Sequence, residues 1–290
     1  METPESSPLP PSRRADWFYA WALLALTAVV FWPAGRWLAT QAFAREQLKQ
    51  SFLLVMLAGA WIAWEKRSSL RIDLRVSNAT LGWLFTSYLL AAGALLFKTP
   101  LLFITGMVAA AGGMVNYVFG RQALRRTLPL LSVFGVLILC VLLFPVLDWP
   151  LRQMAGMESA RFLKSFGFAS QLTLSSHPPF KLLLVAGRQT FEVATECNGF
   201  GLITSSLLLG LIRLLYYRAR WPWFVSLLPL CVAIAFVFNF LRITTIVLLA
   251  PHFPAHYHAL HETAGLIALY SGLGVVWWLT DGRPTAPSKN

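Results

Sequence analysis

The sequence predicts an all-α polytopic membrane protein, a bundle of about eight transmembrane helices with one small extracytoplasmic β-hairpin loop. Of its 290 residues, 57% are hydrophobic and only 12% are charged, whereas ordinary soluble domains carry about 25% charged residues. The apolar residues form long runs and not alternating segments of about ten residues, which excludes a barrel. Helices follow, because only they satisfy the backbone within each lipid-exposed segment.

The formal net charge of +12 would suggest a nucleic-acid partner in a soluble protein. Here the lysines and arginines fall in short loops between apolar runs, which is the pattern of membrane topology signals. We therefore expect the lipid bilayer as a partner and no nucleic acid.

Residues 1–15 are rich in Pro and Ser and predict a disordered cytoplasmic tail. No small-residue cleavage site follows the first apolar run, so we prefer an uncleaved span to a signal peptide. Residues 16–147 hold the N-terminal transmembrane helices. Their predicted spans are 17–32, 51–64, 79–97, 101–119 and 128–147.

A loop is predicted over residues 148–196, with β-rich segments at 180–185 and 189–195 that form a hairpin around Ala186-Gly187-Arg188. The hairpin leads directly to Cys197. Residues 197–281 hold the remaining helices and a second cytoplasmic tail occupies 282–290. The spans predicted here are 198–217, 223–249 and 263–279.

The orientation follows from counting basic residues on alternate sides of these spans. With the N-terminus inside, 14 Lys and Arg face the cytoplasm and 9 face outward, five of them in the long loop. The positive-inside rule then places both termini in the cytoplasm and the loop outside the cell membrane. Cys197, Arg242 and His261 come to one level at the outer face.

Cys197 is the first candidate nucleophile, since it begins a predicted span within the run TECNGFG. A thiol in the first turn of a helix lies at the positive end of the helix dipole, which favours the nucleophilic thiolate. The alternative is a small buried hydrophobic residue. Cys140 and Cys231 lie within apolar runs and are interpreted as packing residues, so no disulfide framework is expected.

Arg242 lies inside a predicted span, where a charged side chain is costly and by default marks a functional site. Two alternatives remain: snorkelling to the headgroups, or a structural pairing with Glu196 or Glu262. Asn239 lies one helical turn earlier on the same face, where it could orient the guanidinium.

His261 follows His252, His256 and His258 closely, and such a cluster raises the alternative of a metal site. The spacing does not match HExxH, because Gly265 stands where the second ligand would be. We therefore expect no metal and no cofactor. Interfacial histidines without a role are the remaining alternative. A thiol and an imidazole are the minimum for cysteine nucleophilic catalysis. An arginine could stabilise the oxyanion or hold the thiolate, and the sequence does not choose between these roles.

The runs TECNGFG, NFLRITTIVLL and HETAG, in this order and after a long outer loop, resemble the exosortase/archaeosortase family of membrane cysteine transpeptidases. The resemblance implies that Cys197 is the nucleophile, Arg242 the transition-state or thiolate stabiliser and His261 the acid/base. It also implies membrane-anchored protein substrates with a C-terminal sorting signal of the PEP-CTERM kind: a short motif, a transmembrane helix and a basic tail. The acceptor would be water, lipid or polysaccharide. Asn198 departs from the small residue expected after the cysteine.

Three other classes compete with this interpretation. A transporter would use Arg242 on its pathway, but the chain has no internal repeat or interrupted helix pair. A structural assembly subunit would need no catalytic residue. A membrane acyltransferase would use His261, although nothing in the sequence names an acyl donor.

Overall fold

The computed structural model describes residues 13–65, 67, 72, 74, 76–178, 180–217 and 219–281. The predicted tails lie mostly outside these residues, except that residues 13–15 belong to the first helix. Seven α-helices and three strands follow one another in the described chain: α1 Arg13–Phe43, α2 Glu46–Glu65, α3 Asn78–Phe97, α4 Pro100–Ser165, β1 Ser170–Leu174, β2 Leu182–Ala186, β3 Gln189–Glu192, α5 Phe200–Tyr216, α6 Trp221–Leu249 and α7 Tyr257–Thr280.

Six of the described helices are long and apolar enough to cross a membrane: α1, α3, α4, α5, α6 and α7. The chain is therefore a multi-pass membrane protein, as predicted. The count of eight remains a prediction. Seven of the eight predicted spans lie mainly on these six helices, two of them on α4, and the span 51–64 lies on α2, which has only a short apolar segment, Leu48–Trp61.

The range of α4 covers 66 residues but is two helices joined at a kink, because Gly120 has the non-helical angles φ 77° and ψ 174°. The sequence predicts a loop from residue 148, and this is wrong for residues 148–165, which continue the helix. Pro150 suggests a break, but an ion pair between Asp148 and Arg152, one turn apart, spans it. Ala155, Ala160 and Leu163 then pack into a core with the strands, which stabilises the extension.

The described residues divide into two compact units, those within 1–39 and 63–131 and those within 40–62 and 132–290. The first unit has a core in which Phe31 packs against Tyr88 and Phe103. Its buried Asn116 donates to the Thr80 hydroxyl at 2.8 Å, which links α4 to the beginning of α3.

In the second unit, α5 is the central helix. In its most apolar stretch 72% of the residues are buried, whereas the share is 22–28% in the other candidate spans. The helix packs on both α6 and α7. Ser51 on α2 and Ser205 on α5 share a buried hydrogen bond of 2.9 Å. Arg213, near the end of α5, is one of the 14 basic residues counted on the cytoplasmic side, and it is itself buried. It donates to Thr280 at 3.2 Å and to Asp281 at 2.9 Å, which ties the last turn of α5 to the end of α7.

The strands form one antiparallel sheet in the order β1-β2-β3. β2 and β3 pair where the sequence predicts a hairpin, and Gly187 in the connecting turn has φ +61°, a conformation that favours glycine. β1 is a strand that the sequence analysis missed. Leu184 is fully buried in the core that also contains Cys197, Ile243 and Val247. The sheet therefore covers one side of the cysteine.

Candidate active site

Cys197 and His261 meet in the second unit. The Cys197 Sγ lies 3.5 Å from His261 Nε2, a distance at which a thiol proton can pass to an imidazole. Cys197 is 7% exposed. His261 is half-buried in the second turn of α7, which begins at Tyr257 and not near residue 263 as predicted.

The structure also corrects the local position of the cysteine. Cys197 ends a short 3₁₀ turn, Thr195–Cys197, and α5 begins only at Phe200 with Gly199 as its N-cap. The thiol thus precedes the helix and does not lie in its first turn. Gly199 has φ +74°, and a Cβ there would lie 2.7 Å from the Asn239 side chain. Glycine is therefore required at this join for both backbone and space.

Arg242 reaches the same place from α6. Its Nη1 donates to the Glu196 carbonyl oxygen at 2.8 Å, and its Nη2 lies 3.4 Å from His261 Nε2. Its partner at Glu196 is thus the backbone and not the carboxylate, which is exposed. Within the described chain, Arg242 forms no ion pair with Glu196 or Glu262. Glu262 instead lies 3.4 Å from His258.

Asn239 forms a hydrogen bond with the backbone carbonyl of Cys197, which follows the Glu196 carbonyl in the same 3₁₀ turn. Its Nδ2 donates to the Cys197 oxygen at 2.9 Å, and its side chain is buried. The sequence predicted that Asn239 orients the Arg242 guanidinium, but this hydrogen bond is to the Cys197 backbone. Asn239 and Arg242 are one helical turn apart, so one face of α6 presents donors to two successive carbonyls, those of Cys197 and Glu196. This pair of contacts positions the turn that carries the thiol.

A cleft of about 750 Å³ opens beside these residues. Arg242, His261 and the backbone around Gly199 and Gly201 line it, and Leu266 and Leu269 extend it along α7. Gln50 on α2 also lines the cleft, a residue that sequence reasoning missed because α2 carries no recognisable motif. Cys197 itself lines a separate small cavity of about 20 Å³, together with His261, Glu192 and several apolar residues. The cleft is therefore the space large enough for a peptide segment.

His261 Nε2 lies between the thiol and the guanidinium and must act there as a hydrogen-bond acceptor. Arginine can only donate hydrogen bonds, so Nε2 presents its lone pair to Arg242 and to the thiol. Once the thiol proton moves to Nε2, two donors face each other there. The guanidinium is then better placed on the negative charge that develops nearby. The arrangement thus links proton transfer to charge stabilisation.

Among the described residues, no group of three or more His, Cys, Asp or Glu could hold a metal ion. His258 contacts Glu262, and His252 lies 3.2 Å from the Leu248 carbonyl oxygen. Cys140, Cys197 and Cys231 are free thiols. The groups that lie in contact at the site are the thiol, the imidazole and the guanidinium.

Gly265 lets α7 approach the guanidinium. A Cβ at this position would lie 3.2 Å from Arg242 Cζ, whereas one at Gly274 on the same helix meets no atom within 4 Å. We expect Gly265→Ala to push the guanidinium aside and lower activity by about tenfold to a hundredfold, since small misplacements at an active site cost that much. Gly274→Ala is the matched control and should retain activity. The thermal midpoints of both purified variants should stay near that of the wild type; an active Gly265→Ala variant would contradict the close packing described here.

The fold and this site together define a multi-pass membrane protein in which a cysteine, a histidine and an arginine from three segments lie in contact, with the histidine and the arginine lining a cleft. The family model described as transmembrane exosortase matches residues 44–278, more than half of the chain. The chain therefore belongs to the transmembrane exosortase family, and the resemblance inferred from its motifs is confirmed. No curated protein and no solved structure matches it.

Proposed function

We propose that this exosortase is a cysteine transpeptidase or protease that cleaves a C-terminal sorting signal from membrane-anchored proteins at the outer face of the cell membrane. The observation that carries the proposal is the contact of 3.5 Å between Cys197 Sγ and His261 Nε2, with Arg242 Nη2 at 3.4 Å from the same nitrogen. These are the nucleophile, the base and the charge stabiliser that acyl transfer requires.

The reaction begins when His261 Nε2 takes the thiol proton and the sulfur attacks the scissile carbonyl carbon. The carbonyl oxygen becomes an oxyanion, which the Arg242 guanidinium stabilises. The C–N bond then breaks, His261 returns its proton to the leaving amine, and a thioester to Cys197 remains. A second nucleophile, either water or a hydroxyl of a lipid or polysaccharide, gives its proton to His261 and attacks the thioester. The free thiol is regenerated, and the protein is released or joined to the acceptor.

The position of the cleft fits a substrate that is itself anchored in the membrane. Leu202, Leu266 and Leu269 line it beside Arg242 and His261, so a peptide that leaves the bilayer can reach the guanidinium and the imidazole that contacts the thiol. The basic tail of a sorting signal would remain inside by the positive-inside rule. The segment before its helix would then lie at the outer face, the level at which the charge count places Cys197. Anchoring both proteins in one membrane raises the effective concentration, so weak recognition of the motif suffices.

The transporter and acyltransferase alternatives use only part of this geometry. A transporter has no need of a thiol in contact with an imidazole. An acyltransferase that depends on His261 leaves Cys197 without a role, although the two side chains are in contact.

Processing of a co-expressed protein tests the proposal. The reporter carries a soluble domain, a candidate motif from the same genome, an apolar helix and a basic tail. We expect wild-type cells to shorten it by about the length of the helix and tail and to expose the released domain outside the membrane. A reporter without the basic tail is the control and should be processed less, since its helix loses its orientation signal. If both reporters remain full-length in wild-type cells, the proposed function is contradicted. If cleavage occurs on the cytoplasmic side, the proposed orientation is contradicted.

A further inference from the structure

Asn198, the residue directly after the candidate nucleophile, is completely buried and has partners on both polar atoms. Its Oδ1 accepts the Phe200 backbone N–H at 2.8 Å, and its Nδ2 donates to Asp148 Oδ1 at 2.7 Å. The first bond satisfies a donor that the start of a helix leaves free. Asn198 therefore connects the beginning of α5 to α4.

Asp148 is the charged end of this connection. Its second oxygen accepts from Arg152, and the Asp148 side chain is only 14% exposed. A carboxylate that is mostly removed from water is retained when it is paired and hydrogen-bonded, and here Arg152 and Asn198 supply those partners. Asp148 lies in the extension of α4, beyond the predicted span and 50 residues before its partner.

We propose that Asp148 is a positioning residue for the Cys197 thiol and acts through Asn198. The turn that carries Cys197 is fixed from two sides: Asn239 and Arg242 hold its carbonyls from α6, and Asp148 holds the following side chain from α4. Without the bond from Asp148, the Asn198 side chain can rotate away from the Phe200 N–H, and the join between the thiol and α5 loosens. The inference rests on the proposed function only in taking Cys197 as the nucleophile.

The pair also explains why an asparagine follows the cysteine here. Alanine has no polar atom for either bond, and serine would have to make both through the single oxygen of a shorter side chain, whereas an amide has one atom for each task. Asn198 and Asp148 are therefore coupled, and their coupling is testable by exchanging the two groups.

The test compares Asp148→Asn, Asn198→Asp and the double variant that carries both changes. Asn198→Asp keeps an acceptor for the Phe200 N–H but places two carboxylates against each other. The double variant restores a hydrogen bond with donor and acceptor exchanged. Glu158→Gln is the matched control, since it removes a carboxylate from the same helix at an exposed ion pair. The readouts are reporter cleavage, the rate at which N-ethylmaleimide alkylates Cys197 as followed by peptide mass spectrometry, and the thermal midpoint of the purified protein.

We expect Asn198→Asp to lower both rates by about a hundredfold and Asp148→Asn by about tenfold, as for misplacement of a reacting group. The double variant should recover at least about tenfold over Asn198→Asp, and Glu158→Gln should match the wild type. A double variant no better than Asn198→Asp overturns the proposal, as do rate losses that simply follow the thermal midpoint. Alkylation needs no substrate. If the reporter is never cleaved but the alkylation pattern holds, the proposed function fails and the positioning role stands.

Discussion

Cys197→Ala and Cys197→Ser are expected to abolish processing of the reporter, with a loss of at least about a thousandfold, since removing the nucleophile of a catalytic set costs that much. The serine variant is the sharper test. Its hydroxyl can occupy the position 3.5 Å from His261 Nε2, but an alcohol is far less acidic than a thiol, and a site arranged for a thiol does not activate it.

The two other cysteines provide matched controls. Cys231 is fully buried with its sulfur against Gly210, and Cys140 lies in the second half of α4. Cys140→Ala and Cys231→Ala should retain processing, and the loss of a buried sulfur at residue 231 should cost stability of about 1 kcal/mol. Normal processing by Cys197→Ala would remove the chemical basis of the proposed function, whatever the controls show.

Arg242→Lys is expected to insert and fold normally yet lose most of the activity, by about 2–4 kcal/mol of transition-state stabilisation if the guanidinium supplies an oxyanion donor. The physical reason is its two separate contacts, from Nη1 to the Glu196 carbonyl at 2.8 Å and from Nη2 to His261 at 3.4 Å. A lysine retains the charge but offers a single ammonium group in place of a planar fork. Cleavage rates and thermal midpoints of wild type, Arg242→Lys and Arg242→Ala are the measurements.

Arg213→Lys is the matched control for this experiment, because Arg213 is a buried arginine at the other end of α5. Its guanidinium contacts Thr280, Asp281 and the Trp277 ring at 3.7 Å. We expect this variant to lower the thermal midpoint more than Arg242→Lys does while keeping the activity of each folded molecule. Cleavage by Arg242→Lys close to that of wild type would instead favour a structural or snorkelling role for Arg242, since lysine snorkels equally well.

The sequence predicted that Cys197, Arg242 and His261 share one membrane level, because Cys197 and His261 lie at ends of predicted spans and Arg242 lies in the outer half of one. A charged arginine within an apolar run and a histidine near the start of one are costly or rare in lipid. Counting spans then brings them to one membrane level. The spacing also predicted that Asn239 shares a helix face with Arg242. Periodicity cannot say which atoms that face contacts, so its bond to the Cys197 carbonyl appeared only in the structure.

The extension of α4, the strand β1 and the partner of Asp148 depend on contacts between distant parts of the sequence, which a local pattern does not predict. Asp148-Trp149-Pro150 has the composition of a loop start, yet α4 continues because Arg152 pairs across the proline and the helix packs on the sheet. β1 is too short and polar to predict alone, and it forms because β2 offers it a partner. Asp148 carried a signal, since the chain has only 12 acidic residues and this one ends an apolar run. Its partner, however, lies 50 residues away.

The most direct test of the account is to find the acyl group on the sulfur. Purified enzyme is mixed with a peptide that spans the cleavage motif, quenched with acid within the first turnovers, digested and analysed by mass spectrometry. We predict a thioester adduct on the peptide that contains Cys197, with an added mass equal to that of the N-terminal fragment of the substrate less one water, and its disappearance on treatment with hydroxylamine. Cleavage of the same substrate with no adduct on Cys197, or with the adduct on another residue, would contradict it.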